Sequence, residues 1–141
     1  LAGLRVGYGL ADAELVGWLD RIRMPFNVNL PAQRACIEAL KDAAFVKRSV
    51  ALAAKGRESL GREIRAMGME VLDSAGNFLF VHSPLPGRTL FHALLKRGVI
   101  IRPMDEYGLA KSVRITVGTP GQNKLLLRAL REVLAQARNA P

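Results

Sequence analysis

The spacing of apolar residues along the chain follows two periods and predicts both helices and strands. Helical spacing occurs in five stretches: from residue 12 to before residue 25, 32–41, 43–67, 88–97 and from 120 onward. Short apolar runs rich in β-branched residues predict four strands, at residues 69–72, 77–82, 99–102 and 113–117. This order predicts an α/β fold in which helices cover a small, mixed or mainly antiparallel sheet.

Residues with special backbone behaviour predict where these elements begin and end. Asp12 is placed to cap the first helix, and Pro31 suits the first turn of the second. Gly68 and Gly98 follow the third and fourth helices and are expected to stop them. The apolar faces expected to be buried are Phe45, Leu52, Leu60, Ile64 and Met67 in the third helix and Leu126, Leu130, Val133 and Ala137 in the last.

The chain before residue 30 differs in pattern from the rest. Residues 1–10 form an apolar segment interrupted by glycines. Residues 23–29 are typical of an extended linker, because Pro25 disfavours helix in the residue before it. We therefore expect residues 1–29 to be the tail of another structural unit with its linker, and residues 30–141 to form a separate small domain.

The composition indicates a folded domain with a strong positive charge. The 141 residues are 50% hydrophobic, and charges interrupt every apolar stretch well before the ~20 residues that a membrane span needs. Lys and Arg number 21 against 12 Asp and Glu, which gives a net charge of +9. Because the basic residues are scattered singly and few aromatics accompany them, we expect no nucleic-acid partner and no membrane. The single cysteine, Cys36, and the lack of a visible signal peptide favour a cytoplasmic location.

Three arginines lie where arginine is least expected. Arg5, Arg102 and Arg114 are inside or at the end of short apolar runs typical of buried or half-buried strands. A guanidinium cannot lose its proton, and its burial without a partner is costly, so each of these side chains needs an anion. We therefore predict a pocket for carboxylates or phosphates. The alternative is an alternating strand on which Val113 and Ile115 face the core and Arg114 faces solvent; Arg102 has the same ambiguity.

Other candidate residues give weaker signals. His82 and His92 show no metal-ligand spacing and are expected to be structural or surface residues, so we predict no metal. Asp105 and Glu106 are adjacent on a loop and are expected to be solvated. Tyr107 could hydrogen-bond a ligand or simply pack. The chain contains no GxSxG, P-loop, HExxH or CxxC motif.

Four motifs follow one another along the chain: LAGLRVGY at 1–8, RMPFNVN at 23–29, GVIIR at 98–102 and VRITVGT at 113–119. The first resembles the segment just after the cofactor lysine in fold-type I, pyridoxal-phosphate-dependent aminotransferases. The second, followed by Ala32 and Gln33, resembles the interdomain stretch of the histidinol-phosphate branch, and the last two resemble the final strands of that branch. Threonine-phosphate decarboxylases of cobalamin synthesis share much of this pattern.

The resemblance implies a role for each of the three arginines. Arg5 matches the residue that binds the cofactor phosphate, and Arg114 matches the residue that binds the substrate α-carboxylate or the phosphate of histidinol phosphate. Arg102 matches a second arginine near that phosphate. The implied cofactor is pyridoxal 5'-phosphate, and the implied fold is the C-terminal small domain with the last strand and helix of the large domain.

The resemblance also implies what the chain does in its larger context. The intact enzyme would transfer an amino group between glutamate and imidazole acetol phosphate, as a cytoplasmic homodimer in histidine biosynthesis. The Schiff-base lysine would lie just upstream of Leu1, so we expect this chain alone to be inactive. The alternatives are another pyridoxal-phosphate-dependent aminotransferase or the decarboxylase and, from another class, a non-catalytic anion-binding or interaction module.

Overall fold

A computed structural model of the protein describes residues 2–138. The chain forms two compact units, residues 1–47 and residues 48–141, and each is described by itself. The domain boundary expected at residue 30 stays a prediction. Over the described range, no helix combines the length and the apolar character needed to cross a membrane.

The first unit is helical and its predicted helix starts are confirmed. Its elements are a 3-10 turn at Ala2–Leu4, helix α1 at Ala13–Ile22, helix α2 at Leu30–Lys41 and the start of helix α3, Ala43–Ala66. The carboxylate of Asp12 accepts a hydrogen bond of 2.8 Å from the amide of Glu14, which caps α1. Pro31 lies in the first turn of α2, where its missing amide proton costs nothing.

The prediction of a strand around Arg5, near the start of the chain, is wrong. After the 3-10 turn the backbone continues without regular structure from residue 6 to residue 12. A strand requires a partner to satisfy its amide and carbonyl groups, and the described strands all pair with one another in the second unit. An apolar, β-branched run therefore indicated strand character here without indicating what would pair with it.

The second unit contains a four-stranded antiparallel sheet, as predicted. Its strands are β1 Glu70–Val71, β2 Phe78–His82, β3 Arg102–Pro103 and β4 Ser112–Thr116, in the spatial order β1-β2-β4-β3. β2 and β4 pair over their full length, from Phe78 opposite Thr116 to His82 opposite Ser112. β3 starts later than predicted, because the amide of Val99 is still bonded to the carbonyl of Leu94 at the end of the preceding helix.

The three helices of this unit are the latter part of α3, α4 at Gly87–Leu95 and α5 at Pro120–Arg138. Their apolar side chains bury one face of the sheet, in a core that includes Leu60, Ile64, Val81, Leu90, Leu94, Val113, Ile115, Leu126, Leu130 and Val133. The faces predicted for α3 and α5 are confirmed in this unit, except that Leu52 and Ala137 are exposed. Phe45, in the first unit, is also exposed.

Gly68 and Gly98 end their helices as predicted. Their φ angles are +86° and +74°, in the left-handed region where a side chain is strained. The amide of Gly98 bonds to the carbonyl of Leu95, and the next amide bonds to the carbonyl of Leu94. The chain therefore turns sharply from α4 toward β3, which carries Arg102.

Candidate anion-binding site

The face of the sheet opposite the helical core carries two of the three arginines. Val113 and Ile115 of β4 point into the core, whereas Arg114 between them points to the other face and is half-buried. Arg114 stands directly opposite Arg102 on one neighbouring strand and opposite Phe80 on the other. The alternating pattern of the sequence is thus confirmed for β4, and it brings Arg102 and Arg114 together.

Two like charges in directly opposed positions repel each other, so this pair favours an anion between or above them. Each guanidinium also lies near an aromatic ring. The guanidinium carbon of Arg114 is 5.2 Å from the centre of the Phe78 ring, and that of Arg102 is 5.7 Å from the centre of the Tyr107 ring. Both distances fit cation–π attraction, which supports the two cations without neutralising them.

Arg102 has further contacts in the loop that follows it. Its Nη2 donates a hydrogen bond of 3.1 Å to the hydroxyl oxygen of Tyr107. The same nitrogen lies 4.0 Å from Oε2 of Glu106, at the outer limit of an ion pair. The Arg102 side chain is 47% exposed, so the solvent-facing alternative that the sequence left open for this residue, and not a buried one, is observed. The physical reason is that β3 is an edge strand of the sheet and that Arg102 is the first residue of β3.

The loop that carries Tyr107 is anchored to helix α4. Nε of Arg88 donates a hydrogen bond of 2.5 Å to Oδ2 of Asp105. This bond lowers the pKa of Asp105 below its usual value of 3.8, because it stabilises the ionised carboxylate; burial opposes the shift. Asp105, which was expected to be solvated, is 26% exposed and is paired with Arg88. A 3-10 turn at Asp105–Tyr107 and the left-handed Gly108 complete the loop.

The two histidines lie at different positions in the second unit. Nδ1 of His82 is 2.7 Å from Oγ of the buried Ser112, its partner across the sheet. His92 is an exposed residue of α4 in edge contact with Phe91. Among residues 2–138, no three His, Cys, Asp or Glu side chains are grouped in a way that could hold a metal ion.

Arg5 belongs to the first unit and is described there alone. It is an exposed residue that follows the 3-10 turn, so the expectation of a buried strand is wrong for this position. Its φ angle of +56° is unusual for a residue with a side chain and costs ~1–2 kcal/mol. Strain of this kind concentrates at ligand sites. Its predicted role at the cofactor phosphate stays a prediction.

Sequence reasoning missed the partners of Arg102. Tyr107 was expected either to contact a ligand or to pack, and Glu106 to be solvated; both contact Arg102 through the turn between them. The adjacency of a strand-end arginine and a loop tyrosine five residues later was the available signal. This signal was too weak, because the two side chains meet only through the 3-10 turn at Asp105–Tyr107.

Comparison with known proteins decides the family. The sequence pattern of aminotransferase class I and II matches residues 1–130. The chain belongs to this family. The small α/β domain found here agrees with this membership, since its structural neighbours include aminotransferases.

Relatives within the family share nearly the whole of this chain. A protein named histidinol-phosphate aminotransferase 1 from Thiobacillus denitrificans is 48% identical over 97% of the chain, which spans 35% of that relative. A histidinol-phosphate aminotransferase from Moorella thermoacetica is 44% identical over 96% of the chain, again 35% of the relative. The chain therefore spans just over a third of the length of these aminotransferases.

A solved structure of the family has the same fold. Histidinol-phosphate aminotransferase from Sinorhizobium meliloti, determined in complex with pyridoxal-5'-phosphate, superposes with a TM-score of 0.75 and 30% identity. The superposition covers 97% of this chain and 38% of that protein. The sheet and helices described above are thus those of a part of a class I and II aminotransferase.

Proposed function

We propose that this chain is part of a histidinol-phosphate aminotransferase. The intact protein would transfer an amino group between glutamate or 2-oxoglutarate and histidinol phosphate or imidazole acetol phosphate, in histidine biosynthesis. The observation that carries the proposal is the pair of opposed arginines, Arg102 and Arg114, on the open face of the sheet. The names of relatives 44% to 48% identical to the chain support it.

The chemistry of the two substrates suits such a pair. Glutamate has carboxylates, whereas histidinol phosphate has a phosphate and no carboxylate, so one site must accept both kinds of anion in turn. The guanidinium fork pairs with either group through two parallel hydrogen bonds. In this proposal Arg114, held by β4 and by the Phe78 ring, binds the anionic end of both substrates. Arg102 adds its charge when that end is a phosphate.

The cofactor of this reaction is pyridoxal 5'-phosphate, which supplies an electron sink for the bond-breaking step. Arg5 fits its phosphate by chemistry, since it is an exposed cation on a strained backbone. A Cβ added at any of the neighbouring glycines Gly3, Gly7 and Gly9 would meet no atom within 4 Å, so the surrounding backbone is open to an approaching group. The lysine that binds the cofactor belongs, by resemblance, to sequence preceding Leu1, and we expect the 141-residue chain alone to be inactive.

The remaining parts of the proposal concern the intact protein. We expect an upstream large domain, a homodimer and a cytoplasmic location, with small-molecule substrates and neither nucleic acid nor membrane as partners. The scattered basic residues support the absence of a nucleic-acid partner, and the paired arginines support small anionic substrates.

The test is a transamination assay on the full-length protein saturated with pyridoxal phosphate. With histidinol phosphate and 2-oxoglutarate as substrates, we expect glutamate to form in proportion to histidinol phosphate consumed. Parallel reactions contain phenylalanine, or threonine phosphate with detection of released carbon dioxide. A higher kcat/KM with phenylalanine, or release of carbon dioxide from threonine phosphate without glutamate formation, would contradict the proposal.

A further inference from the structure

A second hydrogen-bond donor lies beside Arg102. The hydroxyl oxygen of Tyr107 accepts a bond of 3.1 Å from Nη2 of Arg102. Because the oxygen is the acceptor in this bond, the hydroxyl proton is left to donate to a different acceptor. Tyr107 is 61% exposed, so an acceptor can reach its hydroxyl from solvent. The adjacent cation polarises the hydroxyl and strengthens the bond it can donate.

The position of this hydroxyl is set by the loop. The amide of Tyr107 donates to the carbonyl of Met104 over 3.0 Å, and the amide of Leu109 donates to the same carbonyl over 3.3 Å. Asp105, two residues before the tyrosine, is bonded to Arg88 of α4. These bonds hold the loop backbone beside Arg102, so the Tyr107 hydroxyl and the Arg102 guanidinium can bind one ligand together.

We propose that Tyr107 is a further anion-binding residue of the Arg102–Arg114 site and favours phosphate over carboxylate. Its hydroxyl would donate a hydrogen bond to a phosphate oxygen and hold Arg102 toward the same phosphate. A phosphate offers three strong acceptor oxygens and a carboxylate two, so an added donor benefits the phosphate more. The inference rests on the proposed function, which supplies a phosphorylated substrate for this position.

Glu106 provides a second test of the site, because its carboxylate competes with a phosphate for Arg102. Its Oε2 lies 4.0 Å from Nη2 of Arg102, and its side chain is 69% exposed. A dianionic phosphate that approaches Arg102 meets this charge as well. Removal of the charge should therefore strengthen phosphate binding, whereas removal of the Tyr107 hydroxyl should weaken it.

The experiment uses the full-length protein saturated with pyridoxal phosphate, so that the proposed cofactor-phosphate site at Arg5 is filled; inorganic phosphate is the probe, with binding measured by calorimetry. Tyr107→Phe keeps the ring and loses the hydroxyl; we expect the phosphate Kd to rise about 3- to 10-fold. Glu106→Gln should lower this Kd by about 2- to 5-fold, the range expected for an exposed charge pair. Thr89→Val, which removes an exposed hydroxyl from α4 in the same unit, is the matched control and should leave the Kd unchanged.

Steady-state kinetics separate ligand binding from a structural role. Tyr107→Phe should raise KM for histidinol phosphate by a similar factor and leave kcat and KM for glutamate within about twofold, since a carboxylate needs fewer donors. An equal rise in both KM values would assign the tyrosine to the fold and overturn the inference. An unchanged phosphate Kd in Tyr107→Phe, or no phosphate binding by the wild type, would also overturn it.

The two proposals fail differently. A wild-type protein that binds phosphate through Tyr107 but does not transaminate histidinol phosphate contradicts the proposed function and leaves the anion-binding residue in place. A protein that transaminates histidinol phosphate with the same KM in wild type and Tyr107→Phe contradicts only the inference. If Tyr107→Phe does not fold, Tyr107→Leu, which also lacks the hydroxyl, is measured in its place, and an unchanged phosphate Kd in that variant refutes the inference.

Discussion

The two compact units contain similar amphipathic helices but bury very different amounts of apolar surface. Of the described hydrophobic residues of the first unit, Ala32 is buried, whereas the apolar face of α1 is exposed at Leu15, Val16, Leu19 and Ile22. The second unit buries a contiguous core against one face of its sheet. The apolar stripe of a helix therefore identifies the face that is suited to burial. It does not identify the element that covers this face.

The first unit leaves large apolar side chains almost fully exposed. Leu10 and Phe26 are 92% and 99% exposed, and Phe26 also has a φ of +54°, which costs energy in a residue with a side chain. In the second unit Leu60, Ile64 and Leu130 are fully buried. We therefore expect the second unit to supply most of the folding stability of this chain.

The largest effect should come from truncating the core of the second unit. Leu130 is fully buried in α5, so Leu130→Ala should lower the free energy of unfolding by ~2–5 kcal/mol through lost burial and a residual cavity. Leu19→Ala in α1, where the side chain is 51% exposed, removes the same atoms and should cost less than ~1 kcal/mol. Urea unfolding of the 141-residue chain measures both. Equal losses of unfolding free energy would contradict the expectation that the second unit supplies most of the folding stability.

The sequence predicted the second unit well because its signals are local or repeat along the chain. The alternation in β4 correctly separated Val113 and Ile115 from Arg114, and Gly68 and Gly98 marked helix ends through their left-handed backbone. A small antiparallel sheet covered by helices followed from the order of these elements.

The sequence failed where a contact depends on the path of a loop. Arg88 and Asp105 are 17 residues apart, and only the folded loop brings them together. Tyr107 lies against Arg102 through a 3-10 turn that has no strong sequence signature. In the first unit, the apolar run around Arg5 predicted a strand, yet strand formation requires a partner that the pattern does not specify.

A second comparison between the units concerns their arginines in the full-length protein. Arg114→Ala should raise KM for glutamate and for histidinol phosphate by about 10- to 100-fold, because charge-assisted hydrogen bonds to both anions are lost. Arg5→Ala should instead raise the Kd for pyridoxal phosphate, by a similar factor, and leave both substrate KM values unchanged once cofactor is saturating. Steady-state kinetics and cofactor titration make the measurement.

Arg131→Ala is the matched control for this pair. Arg131 is an exposed arginine of α5 that donates a hydrogen bond of 2.7 Å to Glu63 of α3, within the helical layer. Its removal should change neither the cofactor Kd nor either KM beyond twofold. If Arg114→Ala leaves both KM values at the wild-type level, the role of a shared binding residue for the two substrates is refuted.

Two glycine-to-alanine substitutions should change the stability by smaller amounts and in opposite directions. A Cβ on Gly87 would lie 2.8 Å from the backbone carbonyl oxygen of Ser112, so Gly87→Ala should destabilise the chain by ~1–3 kcal/mol despite the better helix propensity of alanine. Gly121 in α5 has no atom within 4 Å of an added Cβ, so Gly121→Ala should stabilise by up to ~1 kcal/mol. Thermal unfolding reports both signs, and a stabilising Gly87→Ala would mean that the helix can move away from β4 at little cost.

The smallest expected effect is the contribution of Asp105 to acid stability. Since the bond from Arg88 lowers the pKa of Asp105 in the folded chain, the folded state holds the ionised carboxylate more readily than the unfolded state does. The resulting stability is fully present above the unfolded value of 3.8 and is lost as the pH falls through the lower folded pKa. Unfolding free energies measured from about pH 5 to pH 2 should therefore decline less steeply in Asp105→Asn than in the wild type.

Arg88→Gln tests the cause of that difference. If the hydrogen bond from Arg88 lowers the pKa, this variant should flatten the same part of the pH profile, and the double variant should add nothing further. The side chains differ in exposure, 64% for Arg88 and 26% for Asp105, so the coupling is screened on one side and should be small. A profile that keeps its full acid slope in both single variants would show that other carboxylates dominate, and that the loop carrying Tyr107 is held by its backbone bonds instead.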